Sequence, residues 1–123
     1  MPIKKVMVCI TNQKTCERLI ARGMERSKGG AELHIVHCVQ TGHGFMGTLS
    51  DGEAIEYLFT AAQLAGAELY LLRADRVEDG LANYAKDTGI TTMILGGTGP
   101  GGGESIITRL ERRLPEVEFD ILL

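Results

Sequence analysis

Apolar residues run along this chain in five short blocks, with longer stretches of helical period between them. Ile3 to Ile10 is apolar and β-branched without clean alternation, the pattern of a strand buried on both faces. From Gln13 to Lys28, Cys16, Leu19, Ile20, Gly23 and Met24 recur at i, i+3, i+4 spacing and predict one apolar helix face, with Thr11 and Asn12 as N-cap candidates and Gly29-Gly30 as its end. Ala31 to Val39 predicts a second strand. A capping box at Ser50-Asp51-Gly52-Glu53 opens a second helix, lined by Ile55, Leu58, Phe59, Ala62 and Ala65 and closed by Gly66. Glu68 to Arg73 predicts a third strand. Asp75-Arg76-Val77-Glu78 reads as another capping box, ahead of a face formed by Val77, Leu81, Tyr84 and Ala85 that Gly80 weakens a little. Thr91 to Leu95 predicts the fourth strand and Ser105 to Leu114 the last helix, with Ile106, Ile107, Leu110 and Leu114 inward and Pro115 as its stop. Val117 to Leu123 predicts the fifth strand.

Strict alternation of strand and helix with short connections implies an α/β domain: a parallel sheet with helices on both faces, three layers in all. No internal repeat or low-complexity segment divides the chain, so residues 1–123 read as one domain. In the final strand Val117, Phe119 and Ile121 alternate with Glu118 and Asp120, which predicts an edge strand with one wet face. Such an edge stays unpaired until another chain covers it.

Composition narrows the function. The 123 residues are 44% apolar, enough for a core at this length, and the net charge of −3 gives no general attraction for nucleic acid. Lys and Arg gather only between Arg18 and Lys28 and between Arg109 and Arg113, at helical spacing among acids, as on solvated helix faces. No run approaches the roughly 18 apolar residues of a membrane helix. The opening MPIKKVMVCITNQ has a basic pair before an apolar run, but only five apolar residues precede Thr11 and no small-residue cleavage site follows. It reads as a first strand, and the expected location is cytoplasmic. Three cysteines without a scaffold pattern suggest reduced thiols, with Cys9 and Cys38 as small core residues. Met24 and Tyr84 also read as core.

Candidate chemistry lies where ligands bind in open α/β sheets, beyond the carboxyl ends of the strands where strand order reverses. Two connections qualify: Thr11-Asn12-Gln13 after the first strand and ILGGTGPGGGES after the fourth. Six of the eight residues from Gly96 to Gly103 are glycine. Such a backbone turns freely and approaches a ligand closely, its successive N–H groups form an anion nest, and the following helix adds its N-terminal dipole. Thr98 and Ser105 supply hydroxyls. No lysine follows the glycines, which excludes a P-loop. Gly97-x-Gly99-x-x-Gly102 fits the dinucleotide fingerprint, but on the fourth strand rather than the first, which argues against a dehydrogenase. Glu104 in the first helical turn suits the dipole and repels a phosphate. An empty, slack loop is the competing reading.

Other features carry less. His34 and His37 stand three apart on a strand and face opposite ways; a metal site from His37, His43 and Cys38 or Cys16 has no standard ligand spacing, and no metal is assigned. Cys16 reads as packing. No nucleophile has a local base, so no catalytic residue is assigned. Phe45 and Met46, in Gly42-His-Gly-Phe-Met-Gly47, either close over a ligand, pack on a partner or plug the core.

Several stretches together resemble one family. Val6-Met-Val-Cys-Ile-Thr-Asn-Gln with Cys16-Glu-Arg-Leu-Ile-Ala-Arg-Gly23, then Leu33-His-Ile-Val-His-Cys, then Asp75 to Ala85, then Met93-Ile-Leu-Gly-Gly-Thr-Gly, resemble in order the universal stress (UspA-like) proteins, most of all the version embedded in KdpD-type potassium sensor kinases. The resemblance implies a Rossmann-like five-stranded parallel sheet of order 3-2-1-4-5. It implies a non-enzymatic stress or signalling module that binds ATP with Mg²⁺, AMP or a cyclic dinucleotide. Carried over, Gly96-x-x-Gly99 matches the first half of the family's phosphate motif and Ser105 the second. Glu104 replaces a glycine there, the spacer is shorter and its basic residues are absent. Thr11 stands where the family often has an aspartate near the adenosine, and Val36 where a backbone commonly meets adenine. The nucleotide residues implied are thus Thr11, Asn12, Val36, Gly96, Thr98, Gly99, Gly101, Gly102, Gly103 and Ser105. The partner implied is a second copy, paired through Val117, Phe119 and Ile121 of the last strand. The alternative is a nucleotide-free homodimeric interaction module with a degenerate phosphate loop.

Overall fold

A computed structural model describes residues 4–10, 13–41, 51–96 and 106–122. Strands and helices alternate through them: β1 (Lys5–Ile10), α1 (Gln13–Arg26), β2 (Glu32–Gln40), α2 (Asp51–Leu64), β3 (Glu68–Ala74), α3 (Val77–Thr88), β4 (Thr92–Gly96), α4 (Ile106–Arg113) and β5 (Glu118–Leu122). Every strand pairing is parallel, in the order β3-β2-β1-β4-β5. β1 is central, with Cys9 level with Val36 on one side and Val8 level with Ile94 on the other. Its join to β4 starts at Lys5 and Thr91, where the Thr91 N–H donates to the Lys5 carbonyl at 2.9 Å and the Lys5 N–H to Thr91 Oγ1 at 3.0 Å.

Alternate residues of β1 serve two separate cores. Val6, Val8 and Ile10 pack with Leu19 and Ile20 of α1, Ile35 of β2 and Leu58 and Ala62 of α2. Met7 and Cys9 pack on the other face with Val36, Leu81, Ala85, Met93 and Leu110, beneath α3 and α4. Both sides of the strand are therefore apolar, which is why its sequence does not alternate.

Each face has one point where a helix comes unusually close. A Cβ on Gly23 of α1 would lie 2.4 Å from Val8 Cγ2 and 2.9 Å from Leu33 Cδ1. A Cβ on Gly80 of α3 would lie 2.7 Å from Cys38 Sγ and 3.1 Å from Ala74 Cβ. Gly80, expected only to weaken its helix, is what lets α3 sit on the sheet. That helix ends where Gly89, at φ 78°, donates its N–H to the Ala85 carbonyl, the left-handed cap that glycine adopts without strain.

Several expectations need correction. Met24 is exposed, because α1 points Leu19, Ile20 and Gly23 inward and leaves Met24 on the flank toward α2. Ile55 and Phe59 are 38% and 55% exposed, since α2 buries Leu58 and Ala62 and turns its outer flank past the sheet. The capping box at Asp75 does not form: Arg76 is the N-cap, with no side-chain cap bond. Glu78 instead turns inward to Arg109 and Arg113 of α4. The capping box from Ser50 lies outside the described residues. The basic group of α1 lies on an exposed face, as expected, and there Arg26 meets Glu118 and Asp120, and Arg22 meets Asp120. On the polar face of β5 Glu118 is exposed, and Asp120 lies beside the arginines of α1.

Candidate functional site

The order of strands reverses between β1 and β4, the place where open α/β sheets bind ligands. Continuing their register by two residues brings the last residue of β1, Ile10, beside the last of β4, Gly96. From these ends the chain enters the two predicted ligand segments. Thr11 and Asn12 follow Ile10, and Thr98, Gly99, Gly101, Gly102, Gly103 and Ser105 follow Gly96; all of these lie outside the described residues. Gly96 itself is half-buried, and a Cβ there would meet nothing nearer than Leu19 Cδ1 at 3.9 Å. Packing does not require glycine at that position, unlike Gly23.

Val36, expected to meet a ligand through its backbone, stands one residue before the level of the end of β1. It is fully buried in the core beneath α3 and α4, held in register between Cys9 and Tyr70. Since His37 is level with Ile10, the part of β2 that overhangs the end of β1 is Cys38 to Gln40.

His37, weighed in the sequence only as a candidate metal ligand, stands at the end of β1 instead. Its Nδ1–H donates to the Ile10 carbonyl at 2.7 Å, which fixes the end of β1 just before Thr11. Burial pushes its pKa below the usual histidine value, partly offset by that bond. The ring is thus neutral at neutral pH, with the proton on Nδ1. Cys38 points to the opposite face and packs against α3, so His37 and Cys38 do not converge on one metal ion; His43 lies outside the described residues. Burial raises the pKa of both Cys9 and Cys38, which keeps these thiols protonated and inert.

The helix after the glycine segment is anchored from α3. Arg109 donates to Glu78 through Nε, and Arg113 Nη1 donates to Glu78 at 3.0 Å and to Asp79 at 2.6 Å. The Arg109 and Arg113 guanidiniums hold the Glu78 carboxyl below the usual carboxylate range. This clip fixes α4, and with it the place where a phosphate would meet the helix N-terminus.

A second polar cluster sits under α3, toward the opposite end of the sheet. His34 faces Tyr84 Oη through Nδ1 at 2.7 Å and Glu32 Oε1 through Nε2 at 3.1 Å, and it stacks on Tyr70 with ring centroids 5.3 Å apart. The Tyr70 hydroxyl donates to Glu68. The two-residue spacing of Glu32 with His34, and of Glu68 with Tyr70, was the available sequence signal. Desolvation first, then Tyr70, raise the Tyr84 pKa, so this hydroxyl is no nucleophile. Among the described residues no group of His, Cys, Asp and Glu is arranged to hold a metal, and no helix is long and apolar enough to cross a membrane.

The residues expected at a dimer interface are partly buried. Val117, Phe119 and Ile121 pack on the core beneath α4. What β5 offers to a partner is its backbone edge, flanked by the Arg22, Arg26, Glu118 and Asp120 ion pairs.

No family model matches the sequence, and no curated relative does. Solved structures do resemble the fold. A universal stress protein in complex with cAMP is similar at TM-score 0.73 and 15% identity, over 98% of this chain and 97% of that one. A universal stress protein from Archaeoglobus fulgidus in complex with dAMP is similar at 0.61 and 18%, over 98% and 96%. One from Burkholderia pseudomallei is similar at 0.68 and 16%, over 97% and 95%. At these identities the likeness is one of architecture: the chain has the fold of the universal stress proteins, a five-stranded parallel sheet of order β3-β2-β1-β4-β5.

Proposed function

We propose that this chain is a cytoplasmic universal stress-type module, without catalysis of its own, that binds an adenine nucleotide in the crevice between β1 and β4. One observation carries the proposal: the strands feeding the two predicted ligand segments end level with each other at the point where strand order reverses. Support comes from similar structures that hold cAMP and dAMP. In this reading Thr11 and Asn12 face the nucleoside, the overhanging end of β2 flanks the base, and the backbone of Gly96, Gly99 and Gly101 to Gly103 cradles phosphate. The hydroxyls of Thr98 and Ser105 complete the cradle. ATP with Mg²⁺ is one ligand proposed, because those hydroxyls and Glu104 are oxygen donors suited to a hard cation.

Denaturing extraction of the purified protein, followed by mass spectrometry, is expected to release an adenine nucleotide. Adding ATP with Mg²⁺, AMP or a cyclic dinucleotide is expected to raise the melting temperature, as any ligand selective for the folded state does. Gly99→Val, which fills the cradle, should remove that rise. No extracted nucleotide and no shift at millimolar ligand would sink the proposal. The result would then favour the second reading, a nucleotide-free interaction module, which the absence of lysine and arginine between Gly96 and Ser105 supports.

A further inference from the structure

The seams between the helices differ on the two faces of the sheet. On one face Glu78 of α3 holds Arg109 and Arg113 of α4. On the other, α1 and α2 leave an open groove of about 330 Å³. Ile20, Ala21 and Met24 form one wall, and Tyr57, Ala61 and Leu64 the other. Leu64 is 82% exposed, the most of any large apolar side chain among the described residues, and Met24 is 43% exposed. Phe59 lies on a separate cleft toward β3. Each wall runs for about two helical turns, roughly 10 Å.

Charge at this groove has one sign and one end. Glu17 lines it, whereas Arg18, next in sequence, does not. Glu53 and Glu56 of α2 are exposed, one turn before the lining residues Tyr57 and Thr60 and on their side of the helix. From Asp51 to Leu64 the sequence has no lysine or arginine. Both helices return from the carboxyl to the amino ends of parallel strands, so they start at the same end of the sheet. The carboxylates therefore gather toward that end of the groove, and Met24 and Leu64 stand toward the other.

We propose that the groove between α1 and α2 takes an amphipathic helix of another protein, one whose apolar stripe is flanked by lysine or arginine. Both walls are helices, whose backbone groups are bonded within them, so an occupant is held by side chains alone. An extended strand is recognised through its backbone at a sheet edge, and this surface offers it no such edge. A helix instead seats its ridges in the groove between two others, and anchors at i, i+3 or i+4, and i+7 span the two turns available. Met24 and Leu64 then lose their contact with water. Charge selects the flank of the partner: its cations meet Glu17, Glu53 and Glu56. The same three carboxylates repel an anionic lipid surface. The groove lies on a helix face rather than at the ends of β1 and β4, and its occupation does not depend on nucleotide binding.

The probe is a labelled synthetic helix of about four turns, with leucine at i, i+3, i+4 and i+7 and lysine beside that stripe. Fluorescence anisotropy with the full chain is expected to show saturable binding. The same peptide with glutamate for lysine should bind about tenfold more weakly, and Glu17→Gln should narrow that gap. Leu64→Gln, at an exposed position, should leave the circular dichroism spectrum unchanged and weaken the lysine peptide by about tenfold. Amide NMR shifts supply a readout that needs no variant: they should move at residues 17–24 and 57–65. No saturable binding overturns the proposal, as do equal affinity for the glutamate peptide, a Leu64→Gln protein that binds as the parent does, or shifts that fall elsewhere. Binding only to anionic phosphatidylglycerol vesicles would assign the groove to a lipid surface. Shifts there that follow protein concentration without peptide would assign it to a second copy. Either result overturns the proposal too.

Discussion

Glycine occupies three kinds of position here, and a single methyl group separates them. At Gly23 an added Cβ would press into Val8, a fully buried residue of the central strand. Gly23→Ala gains roughly 1 kcal/mol of helix propensity and loses about 1–3 kcal/mol to overpacking, with neighbours too fixed to yield. Urea titration should show net destabilisation. Gly80→Ala is expected to behave alike but more mildly, because among the described residues only Cys38 Sγ and Ala74 Cβ come close. Gly96→Ala has room at 3.9 Å and should leave stability within about 0.5 kcal/mol of the parent, while weakening nucleotide binding if the backbone there meets the ligand. A strand or helix pattern cannot separate these cases, because glycine reads as a breaker wherever it falls. Only the distance to the facing element gives each its meaning.

At the scale of elements, two contacts set the geometry of the crevice, and both respond to acid. The His37 pKa is lowered in the fold. The unfolded chain therefore takes up the proton first, and the stability tied to His37 is complete above the unfolded value of about 6.5 and lost as pH falls through the folded one. Glu78 is held below its ordinary range by Arg109 and Arg113, so its share persists above about 4.3 and fades below it. Urea midpoints measured between neutral and acidic pH should fall in two stages, and His37→Gln should flatten the earlier one. Glu78→Gln should flatten the later stage and lower the midpoint at neutral pH, since it weakens the acceptor that holds two arginines of α4. Neither contact could be read from the chain. His37 lies in an apolar strand, where its role depends on the neighbouring carbonyl of Ile10. Glu78 imitates a capping box, and its true partners stand 31 and 35 residues away.

For the whole molecule, the alternation of elements was legible because each strand and helix carries its own period and the connections are short, whereas the sheet order came from the family resemblance. The Thr11 and Gly96 segments were legible for the same reason, since both follow directly from strands. Less legible was which apolar residues stay outside. Ile55 and Phe59 have the helical spacing of a core face, and only the position of α2 at the margin of the sheet leaves them uncovered. Wild-type and Gly99→Val protein compared by calorimetry with ATP and Mg²⁺ should differ in heat of binding but not in unfolding temperature without ligand. That outcome would separate a ligand role for the glycine segment from a structural one. The central place of β1 has a consequence for how the chain is made. Its two sides are completed at very different times, because Lys5 waits for Thr91, 86 residues later. Synthesis at roughly 5–20 residues per second leaves about one to four seconds in which β1, β2 and β3 have emerged and β4 has not. During that interval the most apolar strand of the protein is an edge, with Met7 and Cys9 awaiting the cover that α4 supplies. A nascent chain paused before Thr91 is thus the form most in need of a chaperone, although the finished fold buries that strand completely.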